Sequence, residues 1–511
     1  MKKVVIKKNR YVDSVTLMSI GDKIMKMDGI DNAEVQMGTW ANQELLHGLG
    51  YELPSDTGAD DLVFAVSGYT EEMVNAALLR MEEILDQKDL GEEEQVDSLD
   101  EIDFDKQHFD LVQISLPGRY VYEQADLALD KGLHVFIFSD NVSLEEERKL
   151  KEKGREKGLL VMGPDCGVGM IGGVCLGAGS IMKEGPVGIV AASGSGAQEV
   201  ACLLEQCGFG ISALIGTGGH DLYPQIGGLE MLQGMKLLDK DEATKVIVLV
   251  SKLADYNVMK KVLGEADKLN KPVVAVFLGS DKALFEGHKA IAAFSLEEAA
   301  IKTAELLKPG SASSFRYTEE EIEQLVNQEI AQYDEKQKYF RGLYCGGTFT
   351  EEGLLYYSQI PGIKLYSNLQ TIYAEKLENS HLSKEHTILD MGAEDFTAEA
   401  PHPVFDPNLR IRRMQKELQD EETAVILLDF ITGPGVAEDP ITPFVDEINR
   451  QKKNKHITYI ANICGSMSDP QNVAEKKQLL LEAGVIVTAC SYESARLAGA
   501  LMKELERRNH K

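Results

Sequence analysis

Residues 187–199, Val-Gly-Ile-Val-Ala-Ala-Ser-Gly-Ser-Gly-Ala-Gln-Glu, decide the fold of this chain. An apolar run (Val187–Val190) meets a Ser/Gly turn (Ser193, Gly194, Ser195, Gly196), and a helical pattern follows to Leu204. A strand that turns tightly into a helix leaves the helix's first N–H groups open at the positive end of its dipole, where phosphate or carboxylate binds. Glycines let a ligand approach the backbone, and Ser193 or Ser195 can cap the helix or donate to an oxyanion; an ordinary capped βα turn with no ligand is the competing reading.

Regular alternation surrounds this stretch. Strands are expected at Leu111–Ser115, His134–Phe138 and Leu159–Met162, with helices near Val121–Lys131 and Leu144–Lys157 between them. Further strands at Val187–Val190, Ser212–Ile215, Lys245–Val250 and Pro272–Phe277 lead to a helix at Leu296–Leu307. The last block, residues 340–508, reads as a second copy. Gly342–Tyr344 and the turn Gly346-Gly347-Thr348 parallel the Val187 strand and its Ser/Gly turn, 419–429 parallels 239–250, His456–Ala461 parallels 272–277, and Ser491–Leu505 parallels the late helix. Two copies of one α/β unit predict two turns that face each other.

Six segments follow: a small α+β domain (1–86), an acidic linker (87–107), a truncated Rossmann-like domain of CoA-binding type (108–183), a flavodoxin-like domain (184–308), a linker and acidic helix (309–338), and a second flavodoxin-like domain (339–511). In the first, Val4–Lys7, Ala33–Met37 and Asp61–Val66 read as strands, with helices from about Ser14 to Lys26 and near Glu71–Leu85.

A net charge of −30, from 83 acidic and 53 basic residues, disfavours nucleic acid and anionic membranes as partners. No apolar run approaches the ~20 residues of a membrane span, and the basic start lacks the apolar stretch of a secretion signal. The seven cysteines contain no Cys-x-x-Cys pair, which points to reduced thiols in the cytoplasm and to no metal site.

Gly163-Pro164-Asp165-Cys166, Gly188–Gly194 with Glu199 behind it, and Gly216-Thr-Gly218-Gly219-His220-Asp221 resemble, in order, loops of the succinyl-CoA synthetase α subunit and its acyl-CoA synthetase relatives. The final block, with Leu389-Asp390-Met391-Gly392, is similar to the C-terminal domain of the synthetase β subunit. Asp13–Met18, Gln36–Asn42 and Gly342–Thr348 resemble one branch, the FdrA family, so that the likeness spans nearly the full length. That branch implies a subunit of an oxamate carbamoyltransferase of anaerobic allantoin breakdown, acting with other subunits, with carbamoyl phosphate and small anionic acids as substrates and no bound cofactor. The wider resemblance implies the alternative, an acyl-CoA synthetase using CoA and ATP/Mg with an ATP-grasp partner. A non-catalytic scaffold is the third reading.

The chain has no Walker-type Gly-x-x-x-x-Gly-Lys-Ser and no ATP-grasp domain. Its one Gly-x-Gly-x-x-Gly, Gly167–Gly172, lacks a following helix and reads as a loop. From the Gly-rich turns, the phosphate and substrate cradle is expected at Ser193, Gly194, Ser195, Gly196, Gly218, Gly219, Gly346, Gly347 and Thr348. His288, in Glu286-Gly-His-Lys-Ala290, takes the place of the synthetases' phosphorylated histidine, and Glu199 would orient it by analogy; a surface-loop histidine is the competing reading. His220 beside Asp221 is the other acid–base candidate. Asp390 and Asp429 end strands and could position an amide or amine, or equally cap the next turn. Cys166, Cys345 and Cys464 sit at turns where a thiolate would be activated, or where a small side chain simply packs.

Overall fold

The computed structural model describes all residues except 11, 13, 26, 89–98, 100, 101, 103, 105–107, 313, 314, 399, 452–454, 510 and 511. Most of the acidic linker therefore lies outside the described residues. Two compact units emerge: Met1–Asp103 with Phe396–Pro401, and Phe104–Asp395 with His402–Lys511.

The first unit runs β1 (Lys2–Lys7), α1 (Ser14–Met25), β2 (Ile30–Met37), α2 (Trp40–Gly48), β3 (Leu62–Gly68) and α3 (Glu71–Lys88). Its antiparallel sheet has the order β1-β3-β2. Every residue of β3 is buried, because both faces are covered. Phe64 and Val66 pack with Leu17, Ile20 and Val74 of α1 and α3, while Val63 and Ala65 pack with Leu46 and Tyr51. This is the small α+β domain that the sequence predicts, with one helix more: Thr39 caps α2 by accepting the Asn42 N–H.

The second unit opens with β4 (Leu111–Ile114), α4 (Gly118–Asp130), β5 (His134–Ile137), α5 (Leu144–Lys157) and β6 (Val161–Met162), a short parallel sheet β4-β5-β6. Ser143 and Glu146 form a capping box on α5, and Gly158, at φ 74°, ends it in the left-handed conformation that glycine adopts freely. Then comes a correction. Residues Val168–Ile171 are not a loop but strand β7, hairpinned to β8 (Val174–Gly177). The hairpin joins the next sheet, β7 pairing antiparallel with β10.

That sheet comprises β9 (Glu184–Ala191), β10 (Ile211–Gly216), β11 (Val246–Ser251), β12 (Val273–Phe277) and β13 (Ile291–Ala293), with helices α6 (Gly194–Gln206), α7 (Leu229–Lys240), α8 (Tyr256–Ala266) and α9 (Leu296–Leu307). Its order is β13-β12-β11-β9-β10-β7-β8. The acidic helix α10 (Glu319–Ile330) follows, capped by Thr318.

The last block holds β14 (Tyr339–Tyr344), α11 (Gly347–Tyr357), β15 (Leu365–Ser367), β16 (Glu375–Lys376), β17 (His386–Asp390), α12 (Glu394–Thr397), α13 (Asn408–Gln419), β18 (Thr423–Ile431), α14 (Thr442–Gln451), β19 (Thr458–Cys464), α15 (Val473–Glu482), β20 (Ile486–Thr488) and α16 (Ser491–Asn509). The order is β16-β15-β17-β14-β18-β19-β20. Setting β15 and β16 aside as an edge insertion, both blocks carry five parallel strands in the doubly wound order 2-1-3-4-5, the flavodoxin-like arrangement. Helices α6 and α9 pack with α11 and α16 in one continuous core between the two sheets, including Val200, Ala299, Phe349 and Leu501. Packing helix layer to helix layer brings the C-terminal edges of the two sheets to one cleft.

Candidate functional site

The two turns meet. Ser193, extended at φ −155°, caps α6 by accepting the Gly196 N–H at 3.1 Å. Gly346 has no side chain with which to cap α11. Asp429, from the end of β18, accepts the N–H groups of Cys345 and Gly346 instead, each at 2.7 Å. Arg410 of α13 holds that carboxylate at 2.9 Å. The Ser193 and Thr348 hydroxyls are 2.6 Å apart and buried, which locks the two first turns together. Gly194 is exposed, and Ser195 and Gly347 are partly so. Their N–H groups precede any helical acceptor and open to the cleft.

Charged side chains frame this opening. Lys252, just after β11, reaches Glu351 at 3.4 Å. Burial works against its ammonium, but Glu351, Asp390 and Asp165 together hold its pKa above the ordinary value. At the end of β17, burial pushes the Asp390 carboxyl up to about 6, with Lys252 opposing. A methyl group on Gly347 would lie 2.8 Å from the Asp390 Oδ2 and 3.1 Å from the Lys252 Nζ. Glycine there is what lets the carboxylate and the cation lie against the backbone.

The Gly-rich loop borders the same edge. Gly218, at φ 80°, lies so close to the Pro164 carbonyl that no Cβ fits, and a Cβ on Gly219 would sit 3.5 Å from the Asp165 Oδ2. Asp165 is exposed at the mouth, its carboxyl raised by desolvation and by Asp140, and lowered by His220 and Lys252. His220 does not pair with Asp221. Asp221 turns inward, accepting the Glu230 and Met231 N–H groups at 3.0 Å and thereby capping α7. The His220 Nδ1 lies 3.3 Å from Glu147 of α5, whose hydrogen bond raises the imidazole pKa.

Two expected residues lie elsewhere. His288 comes three residues before β13, at the N-terminal edge of the sheet and therefore opposite the turns, with its Nδ1 2.7 Å from Asp267. Glu199 does not orient it. Glu199 is buried in the helix layer, where it accepts the Ser491 N–H at 2.6 Å. Glu352, at the equivalent place on α11, accepts the Leu296 N–H at 2.9 Å. Each block thus caps the other's late helix. Burial and the Glu352 charge push Glu199 up to about 8, and burial takes Glu352 up to about 7.

The cysteine candidates are inert. Burial pushes Cys166 up to about 12 and Cys345 well above the usual thiol value, and Cys464 is raised by Cys202 beside it and by burial. Among the described residues, no group of three or more His, Cys, Asp or Glu is placed to hold a metal ion, and no helix is long and apolar enough to cross a membrane. Sequence reasoning missed Lys252 and Glu147. A lysine that ends the apolar run 246–250 at a parallel strand's C-terminal edge was a usable signal; Glu147 had none, standing 73 positions from His220.

Residues 343–501 match the CoA-ligase family model, and residues 1–100 match that of the heavy metal-associated domain of AllF. The chain belongs to the family of the uncharacterized protein YahF of Escherichia coli (strain K12), to which it is 37% identical over 506 residues, covering 97% of this chain and 98% of that one. It is also 30% identical over 172 residues to the succinate–CoA ligase [ADP-forming] subunit alpha 2 of Archaeoglobus fulgidus, a match spanning 32% of this chain and 58% of the subunit. Among solved structures, PH0766 from Pyrococcus horikoshii OT3 is 15% identical with a TM-score of 0.32, over 82% of this chain and 88% of that one.

Proposed function

We propose that this chain is an acyl-CoA-ligase-type subunit that handles an acyl phosphate at the facing turns of α6 and α11. The observation that carries the reading is the Ser193–Thr348 contact, which places two sets of open N–H groups on one cleft beside Lys252. Preorganised N–H donors and a cation stabilise the charge that gathers on a departing phosphate. The Asp390 Oδ2 and the Lys252 Nζ both stand against Gly347, with Lys252 favouring the ionised carboxyl of Asp390 against burial. The CoA-ligase match over 343–501 and the likeness to succinate–CoA ligase α subunits support CoA as the acyl acceptor. In this reading an ATP-grasp partner supplies the acyl phosphate.

A second reading, carbamoyl transfer between carbamoyl phosphate and a small amide acid such as oxamate, is favoured by the position of His288. Transfer of a carbamoyl group needs the same phosphate cradle and no phosphohistidine, and the histidine that would carry the phosphoryl group is tied to Asp267 at the far edge.

Thermal unfolding in acetyl phosphate, carbamoyl phosphate, inorganic phosphate, CoA and ATP separates the readings, since a ligand that binds only the native state raises the melting temperature. Stabilisation by acetyl phosphate and CoA supports the ligase. Stabilisation by carbamoyl phosphate without CoA supports the transferase. No shift with any phosphate counts against both.

A further inference from the structure

We propose that His220 is the acid–base group of this cleft and that Glu147 is its positioning residue; the proposal rests on the anion-binding reading above. Helix α5 belongs to the small parallel sheet, yet it sends two buried charges, Glu147 and Lys151, under the Gly-rich loop of the next. Lys151 donates to the Glu147 Oε1 at 2.6 Å, to the Thr217 carbonyl at 2.7 Å and to the Asp221 Oδ1 at 3.0 Å. Those three bonds use up the ammonium's donors and fix the carboxylate of Glu147. Its other oxygen is left for the His220 Nδ1.

A carboxylate on one ring nitrogen sets the tautomer and aims the other nitrogen. Among the described residues, the His220 Nε2 has no hydrogen-bond partner, and its side chain is 38% exposed. The groups around the ring are Glu147 and Lys151 from α5, Asp165 from the neighbouring loop, and the Tyr223 ring at 5.0 Å. The Thr217 N–H donates to the Ala191 carbonyl at 2.8 Å, so the loop that carries His220 runs beside the strand end that leads into Ser193.

In the acyl transfer, the thiol proton passes to the Nε2 as sulfur forms the C–S bond. The C–O bond to phosphate breaks, its electron pair stays on the phosphate oxygen, and that oxygen takes the proton from the Nε2. The imidazole ends as it began, and no oxidant or further reactant is needed.

Calorimetric titration with sulfate, an anion that does not titrate near neutrality, tests the proposal when run near pH 7.5 in two buffers of different ionisation heat. The difference between the buffers counts protons taken up on binding. Wild-type protein should bind sulfate with proton uptake. His220→Gln should still bind but lose most of that uptake, and Glu147→Gln should move the pH of maximal uptake downward. Sulfate binding with uptake unchanged in His220→Gln overturns the role of His220 and leaves the cradle standing. Should Glu147→Gln fail to fold, the His220→Gln result decides alone. If wild-type protein binds no sulfate, the anion-binding reading itself fails and this proposal falls with it.

Discussion

The hydroxyls of Ser193 and Thr348, 155 positions apart in sequence, lie 2.6 Å from one another and hold together the first turns of two helices from two copies of one fold. Ser193 has a second duty as the cap of α6. Thr348→Val removes only the contact between the turns, at about 1 kcal/mol for a buried hydrogen bond. Ser193→Ala removes the cap as well, at about another 1 kcal/mol. Urea unfolding should therefore rank Ser193→Ala as the less stable of the two.

Gly347→Ala is expected to separate binding from folding. The added methyl meets the Asp390 Oδ2 and the Lys252 Nζ, so both of these side-chain tips must shift. Phosphate affinity should fall by roughly tenfold or more, equivalent to at least about 1.4 kcal/mol, while the melting temperature stays close to that of the wild type. Calorimetry and a thermal scan of the same samples check both.

Glu199 gives the helix layer a pH dependence. Its carboxyl titrates near 8 in the folded protein against an ordinary 4.5. Between those values the folded state keeps a proton that the unfolded state has lost, so stability falls as pH rises from about 4.5 to about 8. Glu199→Gln retains an acceptor for the Ser491 N–H and cannot ionise. The urea midpoint, compared at about pH 5 and about pH 8, should drop less for the variant than for the wild type.

Thiol chemistry should report the burial of the cysteines. Cys175 is exposed and Cys207 partly so, whereas Cys166, Cys202, Cys345, Cys464 and Cys490 are buried. A disulfide-exchange reagent should react fast with native protein at Cys175, slowly at Cys207, and with the remaining five only in denaturant. Rapid labelling of Cys345 would contradict its place beneath Asp429.

The duplication was legible because each copy spells its own strand, turn and late helix: Val187 and Gly342 lie in equivalent strands, and Leu296 and Ser491 begin equivalent helices. The facing of the turns followed from that. The Gly167–Gly172 strand was misread because its glycines look like punctuation. In fact Gly169 passes close to the Phe136 ring, and Gly177 leaves its Cβ position to the Gly167 carbonyl, so the glycines serve a tight hairpin at a sheet edge. His288 was misplaced because position after a strand does not say which edge of the sheet a loop reaches once β13 returns. The Glu147–His220 pair and the crossed caps of Glu199 and Glu352 were illegible, since partners so far apart in sequence are joined only by tertiary packing.

The most direct measurement is a crystal structure of the protein with acetyl phosphate or inorganic phosphate. The account predicts the anion within hydrogen-bonding distance of the Gly194, Ser195 and Gly347 amides, with Lys252 turned toward it. A bound anion held elsewhere, with these amides facing only water, would contradict it.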